Sequence, residues 1–212
     1  MAQKTIERSN VYGLLATIYR QEPTADLLQR LTNPPFLRAL SAAGVALERD
    51  CLDRPQDQLL ASLSLEYTRL FIGPGKHISP HESVHTPADG GSLWGKSTVA
   101  VKQFIESVGV EFRPEYHGIP DHISVELEFM QEVTDTEAQA WQREDRAQVV
   151  SCLQIEKKFI SEHLAQWVPR FCEKVIEEAE LSFYREMAIL TRNFIESDKE
   201  EIEQLAQEHL LQ

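Results

Sequence analysis

The chain has 212 residues, ample for one sizeable core and too few for two full-sized domains. Hydrophobic residues make up 42%, which excludes a disordered chain. With 21 basic and 34 acidic residues, a net charge of −13 disfavours nucleic acid and anionic membranes as partners and favours a basic peptide.

Helical periodicity runs through the chain. Val11, Leu14, Leu15 and Ile18 give an amphipathic first helix. Thr24 is placed to cap a short second helix with Leu27, Leu28 and Leu31, which stops before Pro34-Pro35. Phe36 to Ala43 reads as a third, ended by Gly44. From about Pro55 a longer helix carries Leu59, Leu63, Tyr67, Leu70 and Phe71 and ends at Gly73-Pro74. Residues 73–95 are the longest aperiodic stretch, with Pro74, Pro80, Pro87 and Gly90-Gly91. A loop of that length is usually functional or disordered, and this one also suits a hinge between two helical halves.

Ser97 then suits the cap of a helix with Val101, Phe104 and Ile105, closed by Gly109. A second loop spans Gly109 to Ile119. After Pro120 a long helix presents Ile123, Leu127, Met130 and Val133. Another runs from near Arg146, and Pro169 fits the start of the next. Phe183, Met187, Leu190 and Phe194 form the last clear apolar stripe, and the acidic, Gln-rich tail from about 196 is expected to pack weakly. These patterns predict an all-α fold, an irregular helical bundle in a single domain over 1–212.

Cys51, Cys152 and Cys172 are odd in number and lack C-x-x-C spacing, so neither a disulfide framework nor a cysteine zinc site is indicated. No apolar run of about eighteen residues and no N-terminal signal-like segment occurs, which predicts a cytoplasmic protein with no integral membrane segment.

His81-Glu82-Ser83-Val84-His85 matches H-E-x-x-H, which holds zinc only on a helix that puts both histidines on one face. Pro80 and Pro87 leave room for a single turn, and no third ligand has a recognisable spacing. A zinc-dependent hydrolase using His81, Glu82 and His85 is the alternative reading, and no metal is expected. Asp121 and His122 stand at a helix start. Asp121 fits a helix cap there, and equally an exposed acid receiving a guanidinium. Glu126 projects toward a neighbouring face. Trp94 sits in the glycine-flanked loop, unlike Trp141 and Trp167, which read as packing residues.

Four blocks resemble the TorD/DmsD/NarJ family of molybdoenzyme maturation chaperones. The first is Tyr67-x-x-Leu70-Phe71-x-Gly73-Pro74 with Pro80-x-Glu82-Ser83, and the second Pro120-Asp121-His122-Ile123-x-x-Glu126-Leu127-x-Phe129-Met130. The third is Phe159-Ile160-x-x-His163-Leu164-x-x-Trp167-x-Pro169-x-Phe171, and the fourth Phe183-Tyr184. His85 stands where the family often has an aromatic, and Ile119 where it usually has an acid.

The resemblance implies an all-helical, TorD-like chaperone without enzymatic turnover. Such proteins bind the twin-arginine leader and the apo-subunit of a molybdopterin oxidoreductase, hold it for cofactor insertion and prevent premature export. Taken with the residue readings above, Trp94 in its glycine-flanked loop included, it leads to an expected peptide- and client-binding site at Glu82, Ser83, Trp94, Pro120, Asp121, His122 and Glu126. It leaves monomer and domain-exchanged dimer open. No cofactor is expected. Weak guanine nucleotide binding is implied by some relatives alone, since the Gly73-Pro74-Gly75 turn follows a helix and lacks a G-x-x-x-x-G-K-[ST] loop.

Overall fold

A computed structural model describes residues 1–112 and 118–210; the remainder of the loop expected over 109–119 lies outside the described residues. The helices are α1 (Ala2–Arg20), α2 (Ala25–Leu31), α3 (Pro34–Ala42), α4 (Arg49–Leu52), α5 (Gln56–Tyr67) and α6 (Glu82–His85). They continue with α7 (Lys96–Ser107), α8 (Ile123–Gln142), α9 (Arg146–Phe159), α10 (Ala165–Glu178) and α11 (Ser182–Leu210). Among the described residues the fold is all-α, with one isolated bridge between His81 and His122 in place of any strand.

α1 packs along α8, and α10 along α11, with α9 between α8 and α11. Three of the four family-like blocks, with Tyr19 of α1, meet at the centre of this packing. Tyr19, Tyr67, Phe71, Phe171 and Tyr184 form an aromatic cluster with ring centroids 5.0–6.3 Å apart. The Tyr67 hydroxyl donates to the Tyr19 carbonyl at 2.9 Å, and that of Tyr184 to the Leu63 carbonyl at 3.2 Å, so the polar tips of these buried rings are satisfied. All three cysteines are free and buried.

Several local expectations change. The tail from about 196 is part of α11, a helix of 29 residues. Ile195, Asp198, Ile202 and Ala206 recur at three- and four-residue steps and are buried. Its many Glu and Gln residues face outward and mask that stripe. Pro169 lies inside α10 rather than at its start; a wide helical turn over Ile160–Leu164 joins α9 to α10, so the chain runs on as helix from Arg146 to Glu178. Pro34-Pro35 open α3 as well as stopping α2.

Ser97 does not cap α7. Asp89 does, accepting from the Lys96 and Ser97 amides. A Cβ at Gly95 would collide with that carboxylate, and Trp94 just before it takes a left-handed φ of 63°. The 73–95 segment is therefore partly ordered by its own contacts, with α6 and a short 3₁₀ turn at Pro87–Asp89 inside it.

A buried ionic cluster, unforeseen in the sequence, joins α1 to α8, α9 and α11. Arg8 donates to Glu137 at 2.9 Å, to Asp198 at 2.5 Å and to Glu156. The Tyr12 hydroxyl donates to Asp198 at 2.6 Å and the Trp141 indole to Glu137 at 2.6 Å. Burial works to lower the Arg8 pKa, and the charges of Glu156 and Asp198 more than reverse it. Burial holds the Glu156 carboxyl well above its ordinary range even beside Arg8.

Candidate functional site

The two polar segments singled out in the sequence meet. Pro80–Ser83 lies antiparallel to the start of α8: the Ile123 amide donates to the Pro80 carbonyl at 2.9 Å and the Glu82 amide to the Asp121 carbonyl at 3.0 Å. The Asp121 carboxylate accepts from the Ser83 amide at 2.8 Å. Asp121 thus caps α6 across the junction and not its own helix. The cap of α8 is His122, whose Nδ1 accepts from the Ser124 amide at 3.1 Å. That role needs a neutral ring with its proton on Nε2. Burial, with the nearby His81 and Arg20, pushes the His122 pKa down to about 3.

Behind this junction the acids are interior. Asp121 and Glu126 are fully buried and Glu82, Ser83 and Pro120 are buried, which corrects the expectation of Asp121 as an exposed acceptor. The cause is the α6–α8 junction itself, which covers the loop acids with helix α10. His163 Nδ1 donates to Glu82 at 2.9 Å and the Trp167 indole to Glu126 at 3.2 Å. Burial, then the charge of Glu82, holds the Glu126 carboxyl well above its ordinary range. Asp121 Oδ1, Glu126 Oε1 and the Ser83 hydroxyl are buried without a protein hydrogen-bond partner.

The H-E-x-x-H match is one turn of helix whose side chains diverge. His81 Nδ1 meets the Ser79 hydroxyl at 3.0 Å, Glu82 takes His163, and His85 Nε2 donates to the Ser79 carbonyl at 2.7 Å. Among the described residues no group of three His, Cys, Asp or Glu side chains is arranged to hold a metal ion. His85 instead stacks on Trp167, ring centroids 5.4 Å apart at 24°, and so fills the place where an aromatic was expected.

In front of the junction opens a cleft of about 700 Å³. The rings of His81 and His122, 4.9 Å apart and edge to face, form part of its wall. Ile105, Val125 and Phe129 contribute apolar lining, and Glu111, Glu128 and Glu132 contribute acids. Arg20, at the end of α1, reaches into it and pairs with Glu128.

Of the expected site residues, His122 lines the cleft; Glu82, Ser83, Pro120, Asp121 and Glu126 build the support behind it. Trp94 is exposed and is not among the lining residues. Sequence reasoning missed Glu128 and Glu132, although their four-residue spacing puts them on one face of α8.

Comparison with known proteins identifies the architecture. The family model described as nitrate reductase delta subunit matches residues 18–173. The chain belongs to this family, the TorD/NarJ group of redox enzyme maturation proteins. It is similar to the chaperone protein TorD of Vibrio cholerae serotype O1, 28% identical over 95% of this chain and 94% of that one. TorD of Shewanella sp. strain MR-4 is 25% identical over 93% of this chain and 94% of its own length. A crystal structure of a redox enzyme maturation protein from Archaeoglobus fulgidus superposes with a TM-score of 0.56 at 22% identity, covering 89% of this chain and 93% of that one, and shares the fold. TorD/NarJ proteins are maturation chaperones and not enzymes, so this chain is a molybdoenzyme maturation chaperone and the hydrolase alternative falls. No helix among the described residues is long and apolar enough to cross a membrane.

Proposed function

We propose that this TorD/NarJ protein binds the twin-arginine leader of a molybdopterin oxidoreductase together with the apo-subunit, in the cytoplasm, and retains both until the cofactor is in place. The observation that carries the reading is the cleft beside the joined motifs, lined by both acids and apolar side chains. A leader with a basic start and an apolar middle matches both. Guanidinium groups would take charge-assisted hydrogen bonds from Glu128 and Glu132, and the apolar stretch would lie toward Ile105, Val125 and Phe129. A net charge of −13 favours encounter with a basic segment.

In this reading Asp121, Glu126, Glu82 and Ser83 act indirectly. They fix the junction on which His81 and His122 stand, so their loss would misshape the cleft and not remove a contact. Trp94, exposed on its own turn, is a candidate contact for the folded apo-subunit and not for the leader.

Calorimetry with a peptide bearing two adjacent arginines before an apolar stretch tests this. Binding is expected to weaken about tenfold or more when both arginines become alanine, since each charge-assisted contact contributes about 1.5–3 kcal/mol. The paired substitution Glu128→Gln and Glu132→Gln should abolish that discrimination while leaving the fold intact. Equal affinity for both peptides in the unaltered protein would remove the cleft as the leader site.

A further inference from the structure

The cleft already holds a guanidinium. Arg20 lies in the last turn of α1, and its side chain pairs with Glu128 inside the space lined by Glu111 and Glu132. Among the described lining residues it is the one permanent cation against these three carboxylates. We propose that Arg20 is a built-in competitor for the cation the cleft receives: it occupies Glu128 in the free chain and leaves when a ligand guanidinium arrives. This rests on the reading of the cleft as a site for an arginine-bearing peptide.

Three observations carry it. The pair has the chemistry of the proposed complex, guanidinium on carboxylate, so the two compete for one acceptor. It is open to water, with the side chains of Arg20 and Glu128 50% and 41% exposed, and an ion pair so placed is weak and easily exchanged. The position of Arg20 is also firm at its base and free at its tip. α1 is fixed by the packing of Tyr12, Leu15, Ile18 and Tyr19, whereas Arg20 projects past the last buried turn. When the side chain swings out, α1 need not move. Every arginine-bearing ligand then bears the small cost of vacating Glu128.

A charge at the end of α1 also complements the helix dipole, and this bland role alone predicts no gain in binding when Arg20 is replaced. The test compares affinities of the diarginine peptide by calorimetry for the unaltered protein, Arg20→Gln, Glu128→Gln and the double variant. Arg143→Gln, at the far end of α8, controls for the change in net charge. Arg20→Gln is expected to bind about two- to fivefold more tightly, the size of one exposed ion pair. The gain should vanish when Glu128 is already Gln, and Arg143→Gln should bind like the unaltered protein. Unchanged or weaker binding by Arg20→Gln overturns the proposal and makes Arg20 a helix-end charge or a direct contact. A gain shared equally by Arg143→Gln overturns it as well, because net charge alone would explain the result. Should the unaltered protein fail to distinguish diarginine from dialanine peptide, the leader reading fails first, whatever Arg20 does.

Discussion

The interior of this protein contains two groups of buried acids, handled in opposite ways. Around α1, Glu137, Glu156 and Asp198 surround Arg8, and one guanidinium donates to all three. At the α6–α8 junction, Glu82, Asp121 and Glu126 have no buried arginine or lysine among their hydrogen-bond partners in the described residues. Backbone amides, His163 and Trp167 stand in its place. In each group burial makes one carboxyl hold its proton far above its ordinary range, Glu156 in the first and Glu126 in the second. The first group is a bolt between helices. The second is held together by directional hydrogen bonds to amides and side-chain N–H groups.

The largest expected effect separates the two. Arg8→Met should cost about 3–5 kcal/mol in chemical denaturation, because it leaves buried carboxylates without their cation. A loss under about 1 kcal/mol would mean that the acids simply protonate, and the contrast with the junction would collapse.

Asp121→Ala should cost about 1–3 kcal/mol by leaving the Ser83 amide unsatisfied, while Asp121→Asn keeps an acceptor and most of the stability. Equal losses in both variants would show that the charge, and not the hydrogen bond, holds the junction.

Protonation gives the finer test. Folded Glu126 holds a proton that the unfolded chain releases above its ordinary pKa of 4.5, so its contribution is intact below that value and is lost as pH rises through the folded pKa. Glu126→Gln, which still offers Trp167 an acceptor, should therefore gain on the unaltered protein between pH 5 and 8. Parallel stability curves over that range would count against a protonated Glu126.

His122 acts with the opposite slope. Its ring titrates near 6.5 when unfolded and at about 3 when folded, so its stability is full above 6.5 and is lost as pH falls toward 3. His122→Asn retains a good cap and should stay within about 1 kcal/mol at pH 7, with a flatter decline on acidification. An unchanged acid slope would assign that decline to other groups, His81 first, whose pKa burial also lowers.

Much of the fold was legible because helices announce themselves locally. The Leu27–Leu28–Leu31 stripe, the Thr24 cap and the stop at Gly109 need only neighbours in sequence. The two segments of the site were legible as well, since proline, acid and histidine stand out against apolar helices. What stayed hidden was which side of the surface each acid lies on. Asp121 finds its partner 38 residues away and Glu82 finds His163 at a separation of 81, and no local pattern distinguishes such an acid from a solvated one. Arg8 and Asp198 escape a sequence reading for the same reason, since their partners lie 129 to 190 residues away. Pro169 misled because its fit to a helix start is a local preference, which the wide turn over Ile160–Leu164 overrides.

The contact between Arg8 and Asp198 spans 190 residues. During synthesis α1 emerges early with a cation destined for the interior, and α8 and α9 later bring Glu137 and Glu156. Asp198 arrives only with α11. Until then the guanidinium lacks one partner and Tyr12 lacks its acceptor. Closing so long a loop is slow relative to forming the local helices. The docking of α11 onto α1 thus completes the cluster, and a chain interrupted before Asp198 would leave Arg8 and Tyr12 without that acceptor although α1 still packs along α8.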